Sequence, residues 1–291
     1  MNQVAENWKD YECMDTGNGE KLERWKDIIL RRPDPQVIWP IAEEDAFWKQ
    51  PHAQYHRSKS GGGSWEYKKK FKDSWTIEYK NLRFKVSPTG FKHTGLFPEQ
   101  AANWDFMMDK ISHADQDIRV LNLFAYTGGA AKACGSAGAS EVVHVDASKG
   151  MVNWAKENMM LSHLQDRKIR FIVDDVLKFV QREKRRGRTY HAIIMDPPSY
   201  GRGPNGEVWK IEEQLYPLIS ACLEILDEDP LFFLVNSYTT GFPPTVLHNL
   251  LHATIARKHG NGYIEAGEIG LPITRSQTIL PCGIYGRWVK E

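Results

Sequence analysis

The chain is poor in the features that would place it outside the ordinary soluble enzymes. It has four cysteines in 291 residues, Cys13, Cys134, Cys222 and Cys282, scattered and with no C-x-x-C pair. That spacing excludes a disulfide frame and a thiolate zinc site, and it implies reduced thiols in a cytoplasmic protein. No apolar run approaches the roughly 18 residues of a membrane-spanning helix. The start, "MNQVAENWKDYE", is polar and acidic, without the basic and apolar regions of a secretory signal. The formal net charge is only +1, so no global field demands a nucleic acid. The glycine turn in "NLFAYTGGAAKACG" is not G-x-G-x-x-G, and no G-x-x-x-x-G-K-[ST] occurs, which argues against a dinucleotide fingerprint and a triphosphate loop. The ten histidines show no metal-ligand spacing and no pairing with a nucleophile, so no metal is expected.

What is present falls into two zones. Residues 1–104 carry seven of the ten tryptophans and read as a smaller, aromatic-rich α+β region that could hold a substrate. Within it, "WTIEYKNLRFKV" alternates with period two on both sides of Lys80-Asn81, which predicts a hairpin. Residues 105–291 alternate short apolar strands with helical segments. Strands are expected in "RVLNLFA" (119–125), "EVVHVDA" (141–147), "KIRFIVD" (168–174), "HAIIMDP" (191–197) and "PLFFLVN" (230–236). This alternation implies βαβ units and an α/β, Rossmann-like parallel sheet covered on both faces. "GYIEAGEIG" and "GIYGRWV" have no helix between them, so the sheet should finish in an antiparallel hairpin. Two dense basic runs, "KKKFK" (68–72) and "REKRRGR" (182–188), are read first as a solvated strand edge and a helix C-terminus, with phosphate contact as the alternative.

Ligands of such sheets bind beyond the carboxyl ends of the strands. The first expected strand ends in Thr127-Gly128-Gly129, a glycine turn that brings backbone N–H groups and a helix N-terminus to a ligand. The second ends at Asp146, 24 residues after Asn122, where an acid can accept from ribose hydroxyls or cap the helix starting near Ser148. The third ends in Asp174-Asp175: one can cap a helix and the other accept from an adenine amine. The fourth ends in Asp196-Pro197-Pro198-Ser199-Tyr200. Its prolines fix the backbone and remove donors, so the turn offers oxygen acceptors to a planar, amine-bearing group on which Tyr200 can stack. The four ends together describe an S-adenosylmethionine (SAM) pocket with a reactive end at residues 196–200.

The stretches "NLFAYTGGAAKACGSAGASEVVHVDASKGMVNWAKENMML", "FIVDDVLKFV" and "AIIMDPPSYGRG" resemble the class I SAM-dependent methyltransferases that modify bacterial large-subunit ribosomal RNA, in both their cytosine-C5 and guanine-N7 branches. The resemblance spans about residues 65–291, and "TGLFPEQAAN" (94–103) is similar to the segment before the family's catalytic domain. It implies a seven-stranded sheet and SAM contacts at Phe97, Gln100, Asn122, Phe124, Ala125, Tyr126, Thr127, Gly128, Asp146, Ala147, Asp175 and Asp196, with Asp175 rather than Asp174 in the adenine-reading place. It implies RNA, of the ribosomal class, as substrate.

Three departures stand out. Glu99-Gln100-Ala101 replaces the family's Asp-Gln-Arg, and no module of the PUA kind is recognisable at the N-terminus. The turn after the fifth strand reads Asn236-Ser237-Tyr238 where the cytosine branch has a cysteine. Carbon methylation needs a thiolate, whereas a ring nitrogen with a free lone pair does not. Cys282 is therefore expected to have no role, and a base nitrogen of RNA is the expected acceptor. A small-molecule or protein acceptor, and a non-catalytic RNA-binding relative, stand as alternatives.

Overall fold

The computed structural model describes residues 2–43, 45–58, 62–90, 92–202 and 208–291. Gly203, the end of the motif "AIIMDPPSYGRG", and Gly61, the start of the Gly61–Gly63 run, lie outside the described residues. The chain divides into two compact units. One comprises residues 4–102 and 270–282, the other residues 1–3, 103–269 and 283–291.

The N-terminal unit is largely β. After a two-residue strand β1 (Gln3–Val4) come β2 (Tyr11–Gly17), β3 (Glu20–Trp25) and β4 (Ile28–Pro33), an antiparallel meander. The β2–β3 turn is Asn18-Gly19, both at positive φ (53° and 78°), the backbone that a two-residue hairpin loop with the right twist requires. A short helix α1 (Ala46–Lys49) is capped by Asp45 and followed by β5 (Ala53–Arg57) and β6 (Gly63–Tyr67), the outermost strand. β7 (Trp75–Tyr79) and β8 (Leu82–Val86) form the expected hairpin around Lys80-Asn81. A buried ion pair lies inside this unit. Arg32 donates to both Glu23 oxygens at 2.6 and 2.7 Å, the Tyr11 hydroxyl donates to the same carboxylate at 2.8 Å, and the guanidinium stands 5.4 Å from the Trp25 ring centre.

The second unit carries the alternating pattern. After α2 (Ala101–Ser112) come β9 (Arg119–Leu123), α3 (Gly129–Ser136), β10 (Glu141–Asp146), α4 (Lys149–Leu161), β11 (Ile169–Val173), α5 (Val176–Arg185) and β12 (Ala192–Met195). Then follow a small ribbon, β13 (Tyr200–Arg202) with β14 (Val208–Lys210), and α6 (Ile211–Leu223), β15 (Phe232–Ser237), α7 (Pro244–Ala253), α8 (Ile255–Lys258), β16 (Gly262–Ile273) and β17 (Thr278–Lys290). The sheet order is β11-β10-β9-β12-β15-β17-β16. The first five strands are parallel and β17 runs antiparallel to β15. This is the seven-stranded Rossmann-like sheet with a terminal hairpin.

The central strands are buried from both sides: every residue of β12 and β15 is inaccessible. That is why they read as unbroken apolar runs. Direction reverses between β9 and β12, whose connections leave to opposite sides, and their carboxyl ends form the crevice. Among the elements that the sequence reading does not name are the β13–β14 ribbon and helix α7. The second had a signal, since "PPTVLHNLLHA" places prolines at the first helical positions before Leu247 and Leu251, both buried. No described helix is long and apolar enough to cross a membrane.

The run 182–188 ends a helix, as read. Arg182 pairs with Asp174, Lys184 with Glu224, Arg186 with Glu183, and Arg188 with Glu141 and Glu183.

Candidate active site

The loop from β9 to α3 is held in an uncommon backbone. Phe124, Tyr126 and Gly128 all have positive φ (53°, 51° and 85°). For the two aromatic residues this costs free energy, and it persists because the surroundings over-determine it. Ala125 donates its N–H to the Val145 carbonyl at 3.1 Å, and Tyr126 donates to the Asp146 carboxylate at 2.9 Å. From beneath, Asn158 of α4 donates its side-chain amide to the Thr127 carbonyl at 2.9 Å. Gly128 and Gly129 are glycines for want of space: a Cβ on Gly129 would lie 2.7 Å from the Trp104 ring, and one on Gly128 3.0 Å from Ala155. Gly128 begins α3 with no side-chain cap on the first N–H groups of that helix.

Asp146 closes β10. Its two oxygens accept from Tyr126 N–H and from Ser148 N–H, the latter at 2.8 Å. Burial raises its carboxyl above the usual range, and these two N–H groups oppose the rise. The cap of α4 is instead Ser148, whose hydroxyl accepts from Met151 N–H. Capping by Asp146 is thus corrected: the aspartate ties two loops together, and each of its oxygens keeps a second acceptor direction. Ala147 is an exposed bend beside it.

The two acids after β11 separate cleanly. Asp174 is half-buried, accepts from Asp175 N–H at 2.9 Å and is ion-paired to Arg182. Asp175 is exposed and caps α5 by accepting from Lys178 N–H at 2.8 Å through one oxygen, leaving the other toward solvent. Asn122 lies near the end of β9 directly across from His144, and its side-chain amide is buried without a partner.

The turn after β12 is built differently from the sequence reading. The Trp209 indole donates to the Pro198 carbonyl at 2.6 Å, and Ile211 N–H donates to the Ser199 carbonyl at 3.1 Å. Those two carbonyls therefore hold the β13–β14 ribbon. Trp209 also packs against Phe124, ring centres 5.2 Å apart, so one indole joins the β9 end to the β12 end. Ser199 and Thr239 hydroxyls meet at 2.7 Å and join the β12 end to the β15 end. Tyr200 is 51% exposed, and its hydroxyl accepts from Arg202 at 2.8 Å, which leaves a ring face open. At the end of β15, Asn236 and Ser237 are buried, and Asn103 of α2 donates to the Asn236 side-chain oxygen at 2.9 Å.

Phe97 and Gln100 belong to the N-terminal unit. Phe97 precedes a single 3-10 turn, Pro98–Gln100, with its ring 5.5 Å from His93, and Gln100 is buried. Trp209 and Asn158 were missed in the sequence. Trp209 carried no signal there. Asn158 did, because it shares the buried side of α4 with Val152 and Ala155 at three-residue spacing, where a polar residue needs a reason. Among the described residues, no three acids, histidines or cysteines gather to hold a metal.

The donor set fits a sulfonium nucleoside with an amino-acid tail. It offers a helix N-terminus, an orphan buried amide at Asn122, a carboxylate at the second strand and an open carboxylate oxygen after the third. Strand order and crevice together define a class I methyltransferase. A family profile for S-adenosylmethionine-dependent methyltransferases matches residues 49–214, and the chain belongs to that family. A SAM-dependent methyltransferase from Agrobacterium tumefaciens has the same structure at a TM-score of 0.93 with 34% identity, covering 100% of this chain and 94% of that one. Ribosomal RNA large subunit methyltransferase K of Neisseria meningitidis is 26% identical over 229 residues, 76% of this chain and 64% of that protein. Ribosomal RNA large subunit methyltransferase K/L of Shewanella frigidimarina is 32% identical over 152 residues, 52% of this chain. The chain thus spans a fifth (20%) of the length of the K/L protein and 64% of the K protein.

Proposed function

We propose that the protein transfers the SAM methyl group to a ring nitrogen of a base in ribosomal RNA, in the cytoplasm. The β15 end carries the choice of nitrogen. It presents Asn236 and Ser237, pinned by Asn103 and with no thiol, where carbon chemistry would need a thiolate. Two other thiols of this unit, Cys134 and Cys222, are fully buried in α3 and α6, and desolvation raises both. The two curated relatives support RNA as the acceptor class, because both are named for ribosomal RNA.

SAM supplies an electrophilic methyl. The chain's work is to bind and orient. Gly128 and the start of α3 take the carboxylate tail, Asp146 the ribose, and the outer oxygen of Asp175 the adenine amine. Asp196 accepts from an amine on the target base, and the Tyr200 ring stacks on it. Holding an acceptor nitrogen in line with the methyl can supply about 7–11 kcal/mol through orientation alone.

The test combines labelled SAM, the purified protein and deproteinised total RNA from a strain lacking the gene, followed by nucleoside mass spectrometry. A base methylated on nitrogen is the expected product. 5-Methylcytosine would overturn the nitrogen assignment, and transfer to protein or small molecules alone would overturn RNA.

A further inference from the structure

The two basic runs have opposite fates. In residues 182–188, Arg182, Lys184, Arg186 and Arg188 are matched by carboxylates. In residues 68–72 the lysines are exposed, and among the described residues Lys69, Lys70 and Lys72 form no ion pair. Lys68 alone has partners, Glu66 at 4.0 Å and the Lys49 carbonyl at 3.4 Å. Glu66 is itself bonded to His56 at 2.8 Å. The nearby Asp73 is exposed.

The run is also ordered. Lys68 and Lys69 N–H both donate to the His52 carbonyl, at 2.9 and 3.2 Å, as the chain leaves β6. Burial and the Lys69 charge together lower the His52 imidazole, which agrees with a cation left uncompensated there. Aromatic rings run through the segment. Tyr67 and Phe71 stand 5.6 Å apart, and Phe71 meets Trp75 edge-on at 5.7 Å. Trp75 is anchored by its indole N–H on the Trp25 carbonyl at 3.1 Å. Tyr67, at the outer end, is 59% exposed.

We propose that residues 67–72 form a docking surface for single-stranded RNA, with Lys69, Lys70 and Lys72 on successive phosphates and the Tyr67 ring as a stacking platform. Uncompensated cations interleaved with an anchored aromatic ladder match a chain of anions that carries planar bases. A lipid surface would want an aliphatic face, and residues 66–74 contain no Leu, Ile, Val or Met. The proposal deepens the RNA reading above and rests on it. The competing role is protection of the outer strand β6, whose unpaired edge lysines also discourage from pairing with another chain.

The experiment uses the full chain and a fluorescein-labelled oligouridylate, with anisotropy followed over a potassium chloride series. For the triple variant Lys69→Gln, Lys70→Gln, Lys72→Gln, the slope of log affinity against log salt should fall by about 2, at about 0.7 per lost single-strand contact. Affinity near physiological salt should drop at least about tenfold. Tyr67→Ala should lose roughly five- to a hundredfold with the slope unchanged. SAM affinity by calorimetry should be unaltered in both, which checks folding. Unchanged slope and affinity would overturn the proposal, as would a triple variant that only aggregates more readily or a wild type that prefers phosphatidylserine vesicles. Methyl transfer separates the two readings. A triple variant methylating RNA with the wild-type KM removes the surface and leaves the activity. A wild type that binds the oligonucleotide through these lysines but methylates no RNA removes the activity and leaves the surface.

Discussion

Asn158 and Thr127 are joined across the floor of the β9–α3 loop: the Asn158 amide donates to the Thr127 carbonyl at 2.9 Å, and both residues are buried. The carbonyl belongs to a loop already strained at Phe124 and Tyr126, so its shape depends on such ties. Asn158→Ala leaves a buried carbonyl without this donor and frees the loop. SAM affinity by calorimetry should fall about tenfold, with KM for SAM rising and kcat changing little. Asn158→Asp places an acceptor against an acceptor and should be worse. An alanine variant with wild-type KM for SAM would make this tie purely structural.

With Asp146 in the proposed ribose-holding place, its titration sets the pH dependence expected of SAM binding. Its carboxyl is raised by burial, and it accepts ribose hydroxyls best as the carboxylate. SAM affinity should therefore be full at neutral pH and decline as pH falls through that raised value. Asp146→Ala should weaken SAM binding by roughly 10–100-fold, the loss of about two charge-assisted hydrogen bonds moderated by solvent. Asp146→Asn should bind weakly with no acid limb. Isothermal titration at pH 5 and 7 on the three proteins decides it, and an acid limb surviving in the asparagine variant would assign the titration elsewhere.

Trp209 bridges the turn after β12 and the β9–α3 loop. Its indole holds the Pro198 carbonyl at 2.6 Å, and its ring packs on Phe124. Trp209→Phe keeps the packing and loses the hydrogen bond. A loosened Asp196 misaligns the acceptor, so kcat should drop roughly tenfold or more while SAM affinity stays. Asp196→Ala should fall further in kcat by the same reasoning. A Trp209→Phe enzyme with wild-type turnover would show that the ribbon is not needed to set the turn.

The sheet was legible because burial from both faces writes an apolar run into each strand, and the crevice because chemistry concentrates at strand ends. The supports were not. Pairing Trp209 with Pro198, or Asn103 with Asn236, needs residues 11 and 133 positions apart to meet, which no local period records. The Asp174–Asp175 question shows the boundary well. The sequence reading divides capping and availability between the two acids, whereas Asp175 both caps α5 and keeps an outer oxygen, and the Arg182 side chain, about two helix turns beyond the cap, neutralises Asp174.

Cys282 bears on mechanism from the other direction. It lies within β17, not before it, with its thiol on the Leu280 carbonyl, and burial followed by Glu99 pushes that thiol well above its ordinary value. A group so biased toward the thiol is a poor nucleophile. Cys282→Ser should keep kcat within about twofold, measured by methyl incorporation, because the neutral thiol has no part in attack on a ring. A folded but inactive serine variant would restore a covalent route.

The Glu23–Arg32 pair sets acid stability. Burial alone would raise the Glu23 carboxyl, but Arg32 and Lys21, with hydrogen bonds from Arg32 and Tyr11, hold it at about 2. A folded-state pKa below the unfolded value contributes stability that is present above the unfolded pKa, about 4.3, and is lost as pH falls toward the folded one. The N-terminal unit should therefore lose stability between about pH 4.5 and 2. Glu23→Gln strips the carboxylate from a buried guanidinium that keeps its charge, an arrangement that costs about 3–5 kcal/mol. Urea denaturation followed by tryptophan fluorescence at pH 7 should show that loss, and the variant's stability should be flatter than the wild type's from pH 4.5 downward. If the variant loses stability with acid as steeply as the wild type does, a carboxylate other than Glu23 governs the acid transition.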